Sequence, residues 1–279
     1  MIDPANEAIY NNRALVPDHM DTIEWWIRKS EETRNTASGQ QNIPYGDSER
    51  QIMDIFPAPE ANAPLMVFIH GGYWQGLDPS AFSFIVPRLN DLGYCVAIVG
   101  YDLCPDVTVG DITAQIQKAC AYLYKHADDY NADGERLYVS GHSAGGHLTA
   151  EMIATDWTSI EDDLPLNLVK GGLSISGLFD LIPIVTTSIN DKVGFDDESA
   201  RLCSPMLRKP VSRGPLILAV GGQESQGFFD QADRLATAWA DDLDDIERLD
   251  IEGTDHFTVV KQFADPESPL IKAAARLLS

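Results

Sequence analysis

The chain has 279 residues, 44% of them apolar, which is enough for a sizeable core and a length that one α/β domain can fill. Its 43 acidic and 20 basic residues give a formal net charge of −23, scattered rather than gathered into one tail. Such a surface repels nucleic acid and anionic membranes, and no apolar run reaches spanning length, so neither is an expected partner.

Residues 1–17 are polar, with early acids and neither a basic start nor a signal-length apolar run. A helix is predicted over 18–34, capped by Asp18 or Asp21, with Met20, Ile23, Trp26 and Ile27 at helical spacing. It closes an N-terminal helical segment of about 1–38, on which Trp25 and Trp26 are expected to serve packing more than a pocket. Residues 39–44 break the pattern. Strands are then expected at Gln51–Phe56, Leu65–His70, Tyr94–Gly100, Arg136–Gly141, Leu168–Ser176, Leu216–Gly222 and Arg248–Glu252. Between them, helices are expected at Asp111–Tyr130, Ala144–Ala154, near 226–240, and from Leu270. This alternation predicts an α/β fold: a mostly parallel, doubly wound sheet of about eight strands within a single domain spanning 1–279. Residues 178–213 are too long and proline-rich for a short crossover and are expected to form a small cap insert above the strand ends. The four cysteines, Cys95, Cys104, Cys120 and Cys203, show neither paired spacing nor CxxC. They read as buried free thiols in a cytoplasmic protein.

One strand runs straight into Gly141-His-Ser-Ala-Gly145 and on into a helix, which is G-x-S-x-G in its required strand–turn–helix context. The sharp turn strains the serine backbone and demands small residues two positions to either side, so Ser143 is the expected nucleophile. His70-Gly-Gly-Tyr-Trp74 closes an earlier strand and offers backbone donors. With Ala144 N–H, the N–H groups of Gly72 and Tyr73 are the expected oxyanion hole. His70 is expected to brace that loop, while His142 and His147 pack or line the site and His19 and His126 lie on the surface. A base after the last strand leaves one choice, since His256 alone of the six histidines lies beyond position 147. For the acid, Glu224 after the penultimate strand is favoured by position, with Asp180 as the alternative; Asp255 adjoins His256 and is badly placed to reach its ring. Tyr73, Trp74, Phe179 and Asp180 are expected to wall the substrate pocket. No histidine or cysteine set has metal-ligand spacing, so no metal is expected.

Several stretches resemble the kynurenine formamidase (arylformamidase) family of α/β-hydrolases: Pro44-Tyr-Gly-Asp47, Asp54-Ile-Phe-Pro57, His70-Gly-Gly-Tyr-Trp-Gln75, Gly141-His-Ser-Ala-Gly-Gly-His-Leu148, Ser176–Val185 and Asp255-His-Phe257. The similarity covers roughly residues 40–265. It implies the α/β-hydrolase fold and cofactor-free hydrolysis of N-formyl-L-kynurenine to kynurenine and formate. It also implies a catalytic acid at the position of Glu224, where the family more usually carries aspartate. General esterases share most of these motifs, so a carboxylesterase for short acyl or aryl esters is the second expectation. A receptor of this fold that has lost catalysis is a remote third. In each case the partner is a small molecule, and a homodimer is left open.

Overall fold

The computed structural model describes residues 1–278, and its frame is a single eight-stranded sheet. The strands are β1 (Gln40–Pro44), β2 (Ile52–Phe56), β3 (Ala63–Ile69), β4 (Cys95–Val99), β5 (Ala132–His142), β6 (Val169–Ile175), β7 (Leu216–Gly221) and β8 (Ile246–Ile251). They lie side by side as β1-β2-β4-β3-β5-β6-β7-β8. The β1–β2 and β2–β4 pairs are antiparallel and every pairing from β4 to β8 is parallel.

The central strands dictate this arrangement. β3 is buried at every position. Leu65, Val67 and Ile69 enter one apolar layer, while Met66 and Phe68 enter the other. Because successive side chains point to opposite faces, a strand apolar at both parities has to be covered on both sides. Each such side chain gains about 1.5–3 kcal/mol from burial, so leaving either face bare would be costly.

Helices supply the two covers. In chain order they are α1 (Pro4–Tyr10), α2 (Asn12–Leu15), α3 (His19–Thr36), α4 (Val86–Asp91), α5 (Val109–Lys125), α6 (Ala144–Ile153), α7 (Asn190–Val193), α8 (Asp197–Leu202), α9 (Gln226–Trp239) and α10 (Pro269–Arg276). α5, α6 and α9 bury their apolar stripes in the layer of Val67, and α3, α4 and α10 in the layer of Phe68. α5 starts at a capping box in which Thr108 and Asp111 satisfy each other's backbone N–H groups. Among the described residues no helix is long and apolar enough to cross a membrane.

Several elements differ from expectation. Residues 40–44, read as a break, form β1. It is an edge strand with an irregular register and mostly exposed side chains, so it carries no apolar alternation, and an edge tolerates Pro44. The helix expected over 111–130 stops at Lys125; a 3-10 turn, Ala127–Tyr130, then ends on left-handed Asn131 (φ 56°). Between β3 and β4 the unassigned crossover is a 3-10 turn, Pro79–Ile85, running into α4. The insert over 178–213 holds α7, α8 and the 3-10 turns Ile182–Thr186 and Pro205–Leu207.

The N-terminal segment goes furthest beyond expectation. α1 and α2 form a strap laid across the loops at the C-terminal rim of the sheet. Ser225 Oγ donates to Ile9 O (2.7 Å), Tyr73 Oη to Tyr10 O (2.6 Å), and Gln231 Nε2 to Tyr10 Oη (3.2 Å). On its other side the strap is tied to the insert, where Asp3 N–H meets Thr186 O (2.8 Å) and Ser188 N–H meets Glu7 Oε2 (2.7 Å).

Candidate active site

β5 delivers its chain to a turn of one residue. Ser143 stands between β5 and α6 at φ 57°, ψ −115°, a conformation that costs an L-residue strain and lifts its side chain clear of both elements. The turn is possible because its neighbours lack side chains. A Cβ on Gly145 would overlap the Ile69 carbonyl oxygen, and one on Gly141 would overlap the Gly145 carbonyl. Ser143 N–H donates to Ile175 O at 2.8 Å, which pins the elbow to the end of β6.

The loop after β8 turns on Gly253 (φ 73°) and carries His256. His256 Nε2 lies 3.0 Å from Ser143 Oγ, and its Nδ1 lies 2.6 Å from Glu224 Oε2. Glu224 hangs from the loop after β7. Its other oxygen accepts from Gly221 N–H (2.7 Å) and from Ser176 Oγ (2.5 Å). Three donors therefore fix the carboxylate in place, and the side chains of Glu224 and His256 are both buried. Of the two acids weighed from sequence, the structure brings Glu224 to the imidazole. Asp180 is turned elsewhere, accepting from Arg234 Nη2 (2.8 Å) and Ile182 N–H (3.2 Å). Asp255 is spent on its own turn, accepting from the N–H groups of Phe257 and Thr258.

Gly72, Tyr73 and Trp74 follow one another in the left-handed region (φ 108°, 51° and 56°), which curls the loop after β3 against the elbow. Only glycine fits the first position, because a Cβ there would overlap the Gly76 carbonyl. Among the described residues the N–H groups of Gly72, Tyr73 and Ala144 donate to no protein acceptor. His70 braces the loop: its Nδ1 bonds Gly71 O (2.8 Å) and its ring stacks on Tyr101 at 4.1 Å. Burial pushes the His70 imidazole down to about 4, so it stays neutral. His142 Nε2–H donates to the His256 carbonyl at 2.7 Å; burial, then the neighbouring His256 ring, hold it well below the ordinary histidine range. It fixes the backbone of the histidine loop rather than exchanging protons. Burial raises the thiols of Cys95 and Cys120 to about 12 and those of Cys104 and Cys203 to about 11, so none is a competing nucleophile.

Above Ser143 lies a cavity whose walls include Ile23, Trp26, Tyr73, Leu77 and Phe257. Three residues expected in this pocket are not there. Trp74 is fully buried, edge-on to His147 (5.1 Å) and Phe195 (6.2 Å), because the left-handed turn at Tyr73 sends the next side chain inward. Phe179 is in the core, its N–H bonded to Gln231 Oε1 at 2.8 Å, and Asp180 is held by Arg234 as described. Trp26 is the reverse case, since it both packs in the core and walls the cavity. Asn12, Arg13, Ile23 and Leu77 were missed, as was Ser176 beneath Glu224. Asn12, Arg13 and Ile23 reach the site from segments distant in sequence, and nothing in the local pattern of any of the five marks it. His147 is buried with Nε2 on Cys203 O (2.8 Å), His126 is exposed, and His19 is half-buried, stacked on Phe257 at 5.0 Å. Among the described residues no group of three or more His, Cys, Asp or Glu is placed to hold a metal ion.

A serine, an imidazole and a carboxylate in line on the loops after β5, β8 and β7, at the C-terminal rim of a parallel sheet, can move one proton and carry one acyl group. That chemistry, on this sheet, defines a serine hydrolase of the α/β-hydrolase type. The chain belongs to the BD-FAE family, whose sequence profile matches residues 53–195, and within the fold it is kynurenine formamidase-like. It is 28% identical to a kynurenine formamidase of Salmo salar over 89% of this chain and 85% of that protein. With one of Drosophila melanogaster it shares 27% identity over 90% of this chain and 87% of that protein. A crystal structure from Silicibacter sp. TM1040, provisionally described as a thioesterase, superposes with a TM-score of 0.84 at 32% identity, covering 94% of this chain and 96% of that one. The metagenomic carboxylesterase EstE1 (TM-score 0.70, 18% identity, 92% and 95% covered) shares the fold.

Proposed function

We propose that this chain hydrolyses an N-aryl formamide, N-formyl-L-kynurenine, to kynurenine and formate by way of an acyl-serine. Ser143 Oγ attacks the formyl carbonyl carbon as His256 Nε2 takes its proton. The oxygen that gains charge is received by the N–H groups of Gly72, Tyr73 and Ala144. His256 then gives the proton to the aniline nitrogen as the C–N bond breaks. Water, losing a proton to the same imidazole, attacks the formyl ester and frees formate and Ser143. Glu224 holds the Nδ1–H tautomer and offsets the imidazolium charge. Nucleophile, base and oxyanion donors all come from the chain, so the scheme calls for neither metal nor cofactor.

The observation that carries this reading is the unbroken line from Ser143 Oγ through His256 to Glu224, with contacts of 3.0 and 2.6 Å. The formamide is favoured over other acyl compounds by the curated relatives, which match along nearly the whole chain. A second reading, hydrolysis of short acyl esters or thioesters, is favoured by the relative described as a thioesterase. Turnover of N-formylkynurenine beside 4-nitrophenyl acetate separates the two. The proposal expects the larger kcat/KM for the formamide; a preference for the ester with negligible formamide turnover supports the second reading.

A further inference from the structure

Arg13 is an uncommitted cation at the mouth of the site. It sits in α2, exposed, and lines the cavity over Ser143. It also lines a second, adjoining cavity whose walls are Asn11, Tyr73, Gln75, Ser188 and Ile189. Arg13 and Tyr73 thus form the partition between the two spaces. In a chain with 43 acidic residues, most arginines of the described structure find a carboxylate, yet Arg13 makes no ion pair or hydrogen bond among the described residues. The acids near it are engaged elsewhere. Glu7 accepts from Ser188 N–H, Ser188 Oγ and Asn11 Nδ2, and Glu224 accepts from His256, Ser176 and Gly221.

The backbone that carries Arg13 is anchored. Its neighbour Asn12 is buried with Nδ2 on Tyr73 Oη (3.3 Å), and Asn11 caps α2 by accepting from Ala14 N–H (3.2 Å). The two cavities differ in kind. The one over Ser143 is walled by Ile23, Trp26, Leu77 and Phe257, which suits an aromatic ring. The one beyond Arg13 presents Asn11, Gln75 and Ser188, which suits a charged, hydrogen-bonding tail.

We propose that Arg13 is the specificity-determining residue for the leaving group, pairing with a carboxylate that extends from the aromatic ring into the second cavity. The inference rests on the formamidase reading and deepens it, because it selects aryl formamides bearing an amino-acid side chain over bare ones. A guanidinium offers two parallel N–H groups to the two carboxylate oxygens, so the contact orients the substrate as well as binding it. Binding of this kind acts equally on ground and transition states and is read in KM more than in kcat.

The test compares N-formylkynurenine with its α-carboxamide, which keeps the shape and removes the charge, in wild type, Arg13→Gln and Arg13→Lys. For Arg13→Gln the ratio of KM values, carboxylate over carboxamide, is expected to rise about tenfold, the size of one charge-assisted hydrogen bond at a partly wet site. Arg13→Lys should recover part of that ratio, and added salt should raise the wild-type KM for the carboxylate alone. An unchanged ratio in Arg13→Gln overturns the assignment, even if both KM values move together. If wild type turns over neither formamide, the formamidase reading is what has failed. The same ratio is then read on 3-acetoxybenzoate against phenyl acetate, where no change in Arg13→Gln overturns the Arg13 proposal in its turn.

Discussion

The rim of the sheet and the strap that covers it are built on opposite principles. At the rim, Ser143, Glu224 and His256 leave three parallel strands, and backbone geometry fixes each one: a strained elbow, a carboxylate with three donors, a glycine turn. In the strap, α1 and α2 are short helices whose hold on the body runs through a few side-chain contacts, Tyr73 to Tyr10 and Ser225 to Ile9 among them. The first arrangement is stiff and positions atoms for bond-making. The second can vary without disturbing the sheet, and it supplies walls and charge. Rim changes should therefore strike kcat, and strap changes should strike KM.

The largest effect is expected from Ser143→Ala, which should lower kcat by roughly 10⁴-fold or more with the melting temperature kept, because a hydrogen-bonded triad acts as one unit. Retention of a tenth of the activity would remove Ser143 from the rim's chemistry. Next comes Glu224→Gln, expected to lower kcat by roughly 10²–10⁴-fold, since an amide cannot offset the imidazolium or hold its tautomer. Glu224→Asp should keep some activity. Asp180→Asn serves as its control: it breaks the contact with Arg234 far from the cavity and should cost stability of about 1 kcal/mol with little change in kcat. A larger kcat loss in Asp180→Asn would exchange the two acids.

Acid should expose the same contrast, because the buried neutral histidines His70 and His142 belong to the rim. His70 falls from 6.5 to about 4 on folding, so between those values the unfolded chain binds more protons than the folded one. Stability is therefore full above about pH 6.5 and lost as pH falls toward 4, by an amount on the order of a few kcal/mol. Denaturant midpoints at pH 7 and pH 5 measure it, and a His70→Gln variant should show a shallower slope. The smallest effect is expected in the strap. Tyr73→Phe removes the hydroxyl that joins Tyr10 and Asn12 and should raise KM several-fold, the cost of one or two hydrogen bonds, with kcat nearly unchanged. A kcat loss rivalling that of Glu224→Gln would erase the distinction.

The same difference decides what could be read from sequence. Ser143 and His256 are legible because strand–turn–helix and chain order are local signals that the fold must obey. Glu224 is legible by its place after a strand, but choosing it over Asp180 needs the distance of 2.6 Å to His256 Nδ1. Ser176, which steadies Glu224, looks like any serine closing a strand. Trp74 and Phe179 adjoin site residues in sequence, yet both are buried in the core and neither walls the cavity. The left-handed run from Gly72 to Trp74 alternates the side chains, keeping Tyr73 at the cavity and sending Trp74 inward. Asn12, Arg13 and Ile23 lie more than a hundred residues before Ser143, so only folding of the strap and α3 brings them to it.

The division of labour rests on Ser143 being an activated nucleophile, and covalent labelling asks that directly. A fluorophosphonate probe, followed by intact mass and peptide mapping, should place a single adduct on Ser143 in the wild type. It should give no adduct in Ser143→Ala, slower labelling in Glu224→Gln, and wild-type labelling in Arg13→Gln, because the last changes only the leaving-group side. Failure of the wild type to label, or an adduct on any other residue, would contradict the account.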